Sequence, residues 1–196
     1  GAPAPPPAPP PPPPFMQGPE SSSLYFNGAD THVTFDDSNT LAALSDVTFE
    51  AWIKPAGEVR AETIVMYGNY GWGVLLMCNP EDGAKRGCCG THKSGALGFW
   101  TATSRMDNTA CASTPSSTET VTRGQWNHVA VAARRGLVEF YINGAFAGAV
   151  AGEHVRVKGG TGSSQLVLGG LGASCPTCLP YGGYMDEIRL FGGMLP

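Results

Sequence analysis

Charge is scarce in this chain. Only 14% of its 196 residues are Asp, Glu, Lys or Arg, and the formal net charge is −4. That balance gives no electrostatic reason to expect a nucleic-acid partner. Long apolar runs are missing too, and no stretch approaches the roughly 18 residues of a membrane-spanning helix. No window of ten or more residues carries an apolar stripe of helical period, which argues against a helical bundle. Asn-x-Ser/Thr sequons are absent, so N-linked glycans are not expected. The chain opens at Gly1 with neither Met nor a secretory leader. It therefore reads as a mature form or an excerpt, and targeting cannot be taken from it directly.

What is present is glycine (27), proline (17) and a series of short alternating segments. The clearest is Val47-Thr-Phe-Glu-Ala-Trp-Ile-Lys-Pro55. Val47, Phe49, Ala51 and Ile53 point one way and Thr48, Glu50, Trp52 and Lys54 the other, the pattern of a half-buried strand. Pro55 ends it, because proline donates nothing to a ladder. Further strands are expected at Leu24–Gly28, at His32–Phe35 as its hairpin partner, and at Glu62–Tyr67, Trp72–Cys78 and Ala96–Ala102. Others follow at Gln125–Ala133, Leu137–Ile142, Ala145–Val150, Gln165–Gly169 and Tyr184–Phe191. Asn143-Gly144 is the strongest hairpin signal, since both residues tolerate positive φ. Asn79–Ser94 and Ser104–Ser117 read as polar loops. Many short strands joined by Gly, Asn and Ser turns predict an all-β, two-sheet antiparallel sandwich over residues 24–196.

Residues 1–14 are different in kind. Ala-Pro repeats lead into Pro9, Pro10, Pro11, Pro12, Pro13 and Pro14. Such a tract cannot form a core and is expected as a polyproline II rod, about 3.1 Å per residue, hence roughly 40 Å long. It serves as a stiff spacer, as a ligand for an aromatic-lined groove, or as a substrate for prolyl hydroxylation and O-glycosylation. Residues 15–23 form a short linker.

Six cysteines, Cys78, Cys88, Cys89, Cys111, Cys175 and Cys178, lie in a loop-rich β chain. An even number there favours disulfides and an oxidising compartment. Cys175 and Cys178 are expected to close locally, and Cys88 and Cys89 to pair with Cys78 and Cys111. The competing reading is zinc, from Cys175-Pro-Thr-Cys178 and from Cys88-Cys89 near His92. A structural zinc site wants two spaced ligand pairs, and only one CxxC is present.

Seven short motifs occur in a suggestive order: Phe26-Asn-Gly28, Phe49-Glu-Ala-Trp-Ile-Lys-Pro55, Gly71-Trp72-Gly73, Trp126-Asn-His-Val-Ala130, Glu139-Phe-Tyr-Ile-Asn-Gly144, Leu166-Val-Leu-Gly-Gly170 and Gly183-Tyr-Met-Asp-Glu-Ile-Arg-Leu190. In this order they resemble the laminin G-like, or concanavalin A-like, jelly-roll domain, close to its pentraxin-like branch. The resemblance implies two stacked sheets of six or seven strands, secretion, and adhesive, carbohydrate-binding or structural work. The proline tract is similar to the hydroxyproline-rich glycoproteins of green-algal cell walls and flagellar surfaces.

That family includes glucanases, which set their carboxylates on alternate positions of one strand, where both can flank the glycosidic bond. Here Asp186 and Glu187 are neighbours, expected on opposite faces, and Glu50 and Glu139 stand alone, so no catalytic pair is expected. The family resemblance also implies an oxygen-ligated structural calcium, for which Asn27, Asp30 and Asp186 are the candidates if the first and last strands pair. The alternative is that Asp186 caps a turn and Asp30 is a loop residue. Asp36-Asp37 is a weaker cluster of the same kind. Sugars stack on exposed aromatic faces, and Trp52, Tyr70 and Trp72 are the candidates, against the common outcome that Trp in a sandwich is core. Trp126 is expected in the core. The reading as a whole is a non-catalytic extracellular structural or adhesive module on a polyproline stalk, of a cell wall, matrix or surface appendage. Its partners would be glycans, matrix or surface proteins, or other copies met through the stalk. The alternatives are a calcium-dependent lectin module and a glycan hydrolase.

Overall fold

The computed structural model describes residues 22–36, 40–68, 71–82, 92–101, 114–153, 155–157, 165–171 and 179–193. These residues form β1 (Leu24–Asn27), β2 (Val33–Asp36), β3 (Val47–Pro55), β4 (Glu62–Tyr67), β5 (Trp72–Leu76), β6 (Ala96–Trp100), β7 (Ser116–Thr120), β8 (Asn127–Arg134), β9 (Leu137–Ile142), β10 (Ala145–Ala151), β11 (Gln165–Leu168) and β12 (Gly182–Gly192). Two single-turn 3₁₀ segments are the only helical structure among the described residues.

Two six-stranded antiparallel sheets stack as a jelly-roll sandwich. The first runs β1-β12-β3-β8-β9-β10 and the second β2-β11-β4-β5-β6-β7. In the first sheet β3 lies between β12 and β8. Its alternation is realised: Phe49, Ala51 and Ile53 are buried, while Glu50, Trp52 and Lys54 are half-buried on the outer face. The core between the sheets takes Phe49 and Ile53 from β3 and Val129, Val131 and Phe140 from β8 and β9. Val65, Trp72, Val74, Leu76, Leu97 and Phe99 come from the second sheet. Register is fixed by this burial, since a slip of one residue would turn Phe49 and Ile53 into water.

The Asn143-Gly144 hairpin forms as expected, with φ of 53° and 76°, and joins β9 to β10. Two expectations about connectivity need correction. β1 and β2 are not a hairpin: β1 pairs with β12 in the first sheet and β2 with β11 in the second. The Asn27 side chain is the reason. Its Oδ1 accepts the backbone N–H groups of Ala29, Asp30 and Thr31, and Gly28 has a φ of 72°, so the chain crosses between sheets at this point. Ser116–Thr120, read in part as loop, is the edge strand β7. Edge strands are commonly polar, and this one has no apolar alternation to announce it.

Candidate functional site

Three neighbouring strands build the site. Tyr25 of β1 stands opposite Tyr184 of β12, and Tyr184 stands opposite Lys54 of β3. The three side chains therefore share one row on the outer face of the first sheet. Tyr25 is 59% and Tyr184 40% exposed, and their rings lie 5.1 Å apart, tilted by 47°. The half-buried Trp126 adds its ring 6.4 Å from Tyr184. The segment after β3 supplies a polar rim through Glu58 and Arg60, which with Tyr25, Tyr184 and Lys54 border a cleft of about 330 Å³. That volume is at the lower end of what small-ligand sites use.

The floor of the cleft is glycine. At Gly183, with φ of 131°, an added Cβ would collide with the carbonyl oxygen of Lys54. The close approach of β12 to β3 therefore depends on the missing side chain.

Beneath the floor lies a charged cluster. Glu62 is fully buried. Its Oε2 accepts Arg123 Nη1 at 2.7 Å, and its Oε1 accepts both Arg60 Nε at 3.3 Å and the Gly182 N–H at 3.0 Å. Arg123 also donates to the carbonyls of Ala56 and Arg60, at 2.9 and 3.1 Å. Burial pushes the Glu62 carboxyl above its ordinary value, and the Arg123 guanidinium opposes that shift. The arrangement satisfies a buried charge with two cations and a backbone donor, as burial requires. Tyr181, also buried, donates its hydroxyl to the Tyr184 carbonyl at 3.1 Å.

More aromatics continue along the same outer face. Trp52 contacts the His128 ring at 5.4 Å, and Tyr141 contacts Phe146 at 5.7 Å. Across the β12 bulge between Asp186 and Arg189, Arg189 donates to Glu50 at 2.9 Å and to Glu187 at 3.3 Å. Glu187 adopts a φ of 46°. The plain alternation that would put Asp186 and Glu187 on opposite faces is thus interrupted, and Glu187 joins Glu50 in flanking one guanidinium.

The residues expected to bind sugar separate. Trp52 lies on the outer face, as its place in the alternation implied. Trp72 does not: it is fully buried in the core, 5.9 Å from the Tyr67 ring. Tyr70 lies outside the described residues. Trp126, expected in the core, stands half-buried on the outer face. The inner position next to it belongs to Asn127, which is buried because its side chain holds Thr122 and Gln125 through three hydrogen bonds.

The calcium candidates also separate. β1 and β12 do pair, but Asn27 stands opposite Gly182 while Leu24 stands opposite Met185. Asp186 is therefore four residues along the strand from the partner of Asn27, on the order of 13 Å at strand rise. The Asn27 Oδ1 is already an acceptor for three N–H groups, its Nδ2 donates to Asp30 at 2.6 Å, and Asp186 accepts the Glu187 N–H at 2.6 Å. Asn27, Asp30 and Asp186 do not fit one shared ion. Asp36 accepts from Gln165 at 2.7 Å, and Asp37 lies outside the described residues. No three acidic, His or Cys side chains gather for a metal among the described residues.

Cys78 is buried and disulfide-bonded. Cys88, Cys89, Cys111, Cys175 and Cys178, and with them the pairing, lie outside the described residues, as do Pro9 to Pro14. His92, weighed as a zinc ligand, is buried and meets Ser116 Oγ at 3.0 Å.

A family profile described as the concanavalin A-like lectin/glucanases superfamily, of laminin G type, matches residues 27–196. The chain belongs to this family. Comparison with curated protein sequences finds no match. Among solved structures, the sandwich is similar to the sialidase CBM40 of Ruminococcus gnavus bound to α2,3-sialyllactose. The TM-score is 0.65 at 15% identity, over 90% of this chain and 92% of that one. It is similar to the native heptameric SAP-like pentraxin of Limulus polyphemus, with a TM-score of 0.61 and 18% identity over 89% and 77% of the two chains. Domain 4 of a GH43 extracellular arabinanase from Geobacillus stearothermophilus, in complex with arabinotriose, gives 0.60 and 18% over 89% and 72%. At these identities the likeness is one of fold.

The sequence reading missed Tyr25, Arg60, Glu62 and Arg123. One signal for the cluster was present: Glu62 is a lone carboxylate opening the otherwise apolar run Thr63-Ile-Val-Met-Tyr67.

Proposed function

We propose that this chain is a non-catalytic carbohydrate-binding module, working as an adhesive or structural domain of an extracellular surface. The observation that carries the reading is the exposed Tyr25–Tyr184 pair beside Lys54, Asn27 and Arg60 in one cleft. Aromatic faces take the apolar faces of pyranose rings, and adjacent donors and acceptors take the hydroxyls. A hydrolase would need two free carboxylates across a bond. The cleft offers Glu58 at its rim, whereas Glu62 is buried and committed to two arginines. Fold likeness to modules solved with sialyllactose and with arabinotriose supports the same class. Residues 1–14 precede the matched family region and suit a spacer that holds the module off its anchoring surface.

Isothermal titration against a panel of plant, algal and animal oligosaccharides tests this. Wild-type protein should bind members of the panel, and Tyr25→Ala with Tyr184→Ala should weaken that binding at least about tenfold with little change in melting. Undiminished binding by the double variant would overturn the assignment of the cleft.

A further inference from the structure

We infer that the cleft selects acidic glycans, with Arg60 as the residue that reads the sugar carboxylate. The inference rests on the carbohydrate reading above and specifies its ligand class. Arg60 lines the cleft with its side chain 20% exposed. Its Nε is pinned to the buried Glu62 at 3.3 Å, and its Nη1 faces Glu58 at 3.7 Å. Nη2 makes no hydrogen bond among the described residues. It lies instead in a notch between Gly28 and Gly182. A Cβ on Gly28 would collide with Nη2, and one on Gly182 would come within 2.8 Å of it. Gly28, just after β1, and Gly182, at the start of β12, thus leave room for one guanidinium edge.

The Arg60 side chain remains partly open to solvent, and carboxylate oxygens are the best partners for a guanidinium edge. The holder is itself rigid. Glu62 is fixed by Arg123 and by the Gly182 N–H, so Arg60 spends little freedom on binding. Charge points the same way. The chain as a whole carries −4, yet the charged side chains lining the cleft are Lys54 and Arg60 against Glu58. Lys54 makes no ion pair among the described residues and shares the row with Tyr184. A uronic or sialic acid ring on the Tyr25–Tyr184 pair would direct its carboxylate toward Arg60, with Lys54 on the other flank. A neutral sugar would leave the notch unused.

The test pairs each acidic probe with its methyl ester, which removes the charge and keeps the ring: oligogalacturonate, oligoglucuronate and sialyllactose, titrated at low and at physiological salt. Wild-type protein should bind at least one acid about tenfold or more above its ester, and the gap should shrink with salt. Arg60→Gln should bring acid and ester level, whatever it does to the affinity for the ester itself. Arg60→Lys, which keeps the charge but not the fork, should recover part of the preference, and it serves as the readout should Arg60→Gln fail to fold. Equal binding of acid and ester by the wild type would overturn the acidic class and leave the carbohydrate reading standing. A preference that survives in Arg60→Gln would overturn the role of Arg60. Binding of no saccharide, charged or neutral, would overturn both readings.

Discussion

The two sheets treat their outer faces in opposite ways. In the first sheet, β3, β8 and β9 largely alternate between buried and partly exposed positions. The outer face stays open and carries Tyr25, Trp52, Trp126, Tyr141, Phe146 and Tyr184. In the second sheet, β4, β5 and β6 are buried at every position. Met66, Leu75, Met77, Ala96, Trp100 and Leu171 form a second apolar cluster there, with Leu179 packed against it. On these central strands an outward-facing aromatic is left open in the first sheet and covered in the second, as Trp100 is, while an inward-facing one is buried in either. Trp72 sits next to glycines that suggested a surface loop. Gly73 is glycine for another reason: a Cβ there would meet the Val65 carbonyl at 2.6 Å and the Met66 sulfur at 2.9 Å. It marks tight packing.

The largest expected effect tests that contrast along a single strand. Phe49 and Trp52 both belong to β3, one facing the core and one facing out. Phe49→Ala should cost about 3–5 kcal/mol, since it leaves a cavity between the sheets. Trp52→Ala should cost only about 1 kcal/mol, although it removes more atoms. Urea denaturation of the two variants measures the difference directly. Equal costs would mean that the outer face of the first sheet is covered as thoroughly as that of the second.

The buried charge cluster sharpens the comparison, because it sits under the open face yet behaves as core. Glu62→Ala would leave Arg123, 13% exposed, and Arg60 without their shared anion. A loss of about 3 kcal/mol is expected, the lower end for breaking a buried pair. The same variant should weaken glycan binding, because Arg60 loses its anchor. Normal stability by urea denaturation together with normal affinity by titration would show that the cluster is neither structural nor positioning.

Legibility followed the same division. β3 and β9 were readable because one face of each is open, so apolar and polar residues alternate at Val47–Pro55 and Leu137–Ile142. The Asn143-Gly144 turn was readable because few residue pairs accept two positive φ values. The family resemblance, placed on seven short motifs, holds over residues 27–196. The cleft was not readable. Tyr25 and Tyr184 are 159 positions apart in sequence and meet only through the pairing of β1 with β12. Arg60 and Arg123 meet only around Glu62. Pairing of the chain ends was expected, but its register was not, and Asp186 lies four residues along β12 from Gly182, the partner of Asn27. Trp126 and Trp72 exchanged places through phase: Trp72 shares the inward side of β5 with Val74 and Leu76, and Trp126 is one residue out of step with the buried Asn127 and Val129.

The smallest expected effect lies under the cleft, at Tyr181. Its hydroxyl is buried and donates to the Tyr184 carbonyl at 3.1 Å. Burial holds the phenol well above its ordinary value of 10, and the nearby Glu62 carboxylate adds to the shift, while Arg123 opposes it. In the unfolded chain a tyrosine titrates near about 10. Below that pH both states keep the proton, so the contribution of the buried neutral hydroxyl is fully present. Above it the unfolded chain releases a proton that the folded chain retains, so stability falls as pH rises, by at most about 1.4 kcal/mol per pH unit for this one group. Tyr181→Phe cannot ionise in either state. Its stability should be lower by about 1 kcal/mol near neutrality, for the lost hydrogen bond, and should decline less steeply above pH 10. Urea denaturation of wild type and variant from pH 8 to 11 measures both terms. An alkaline slope unchanged by the substitution would mean that water reaches the Tyr181 hydroxyl, and the floor of the cleft would then belong with the open face rather than with the core.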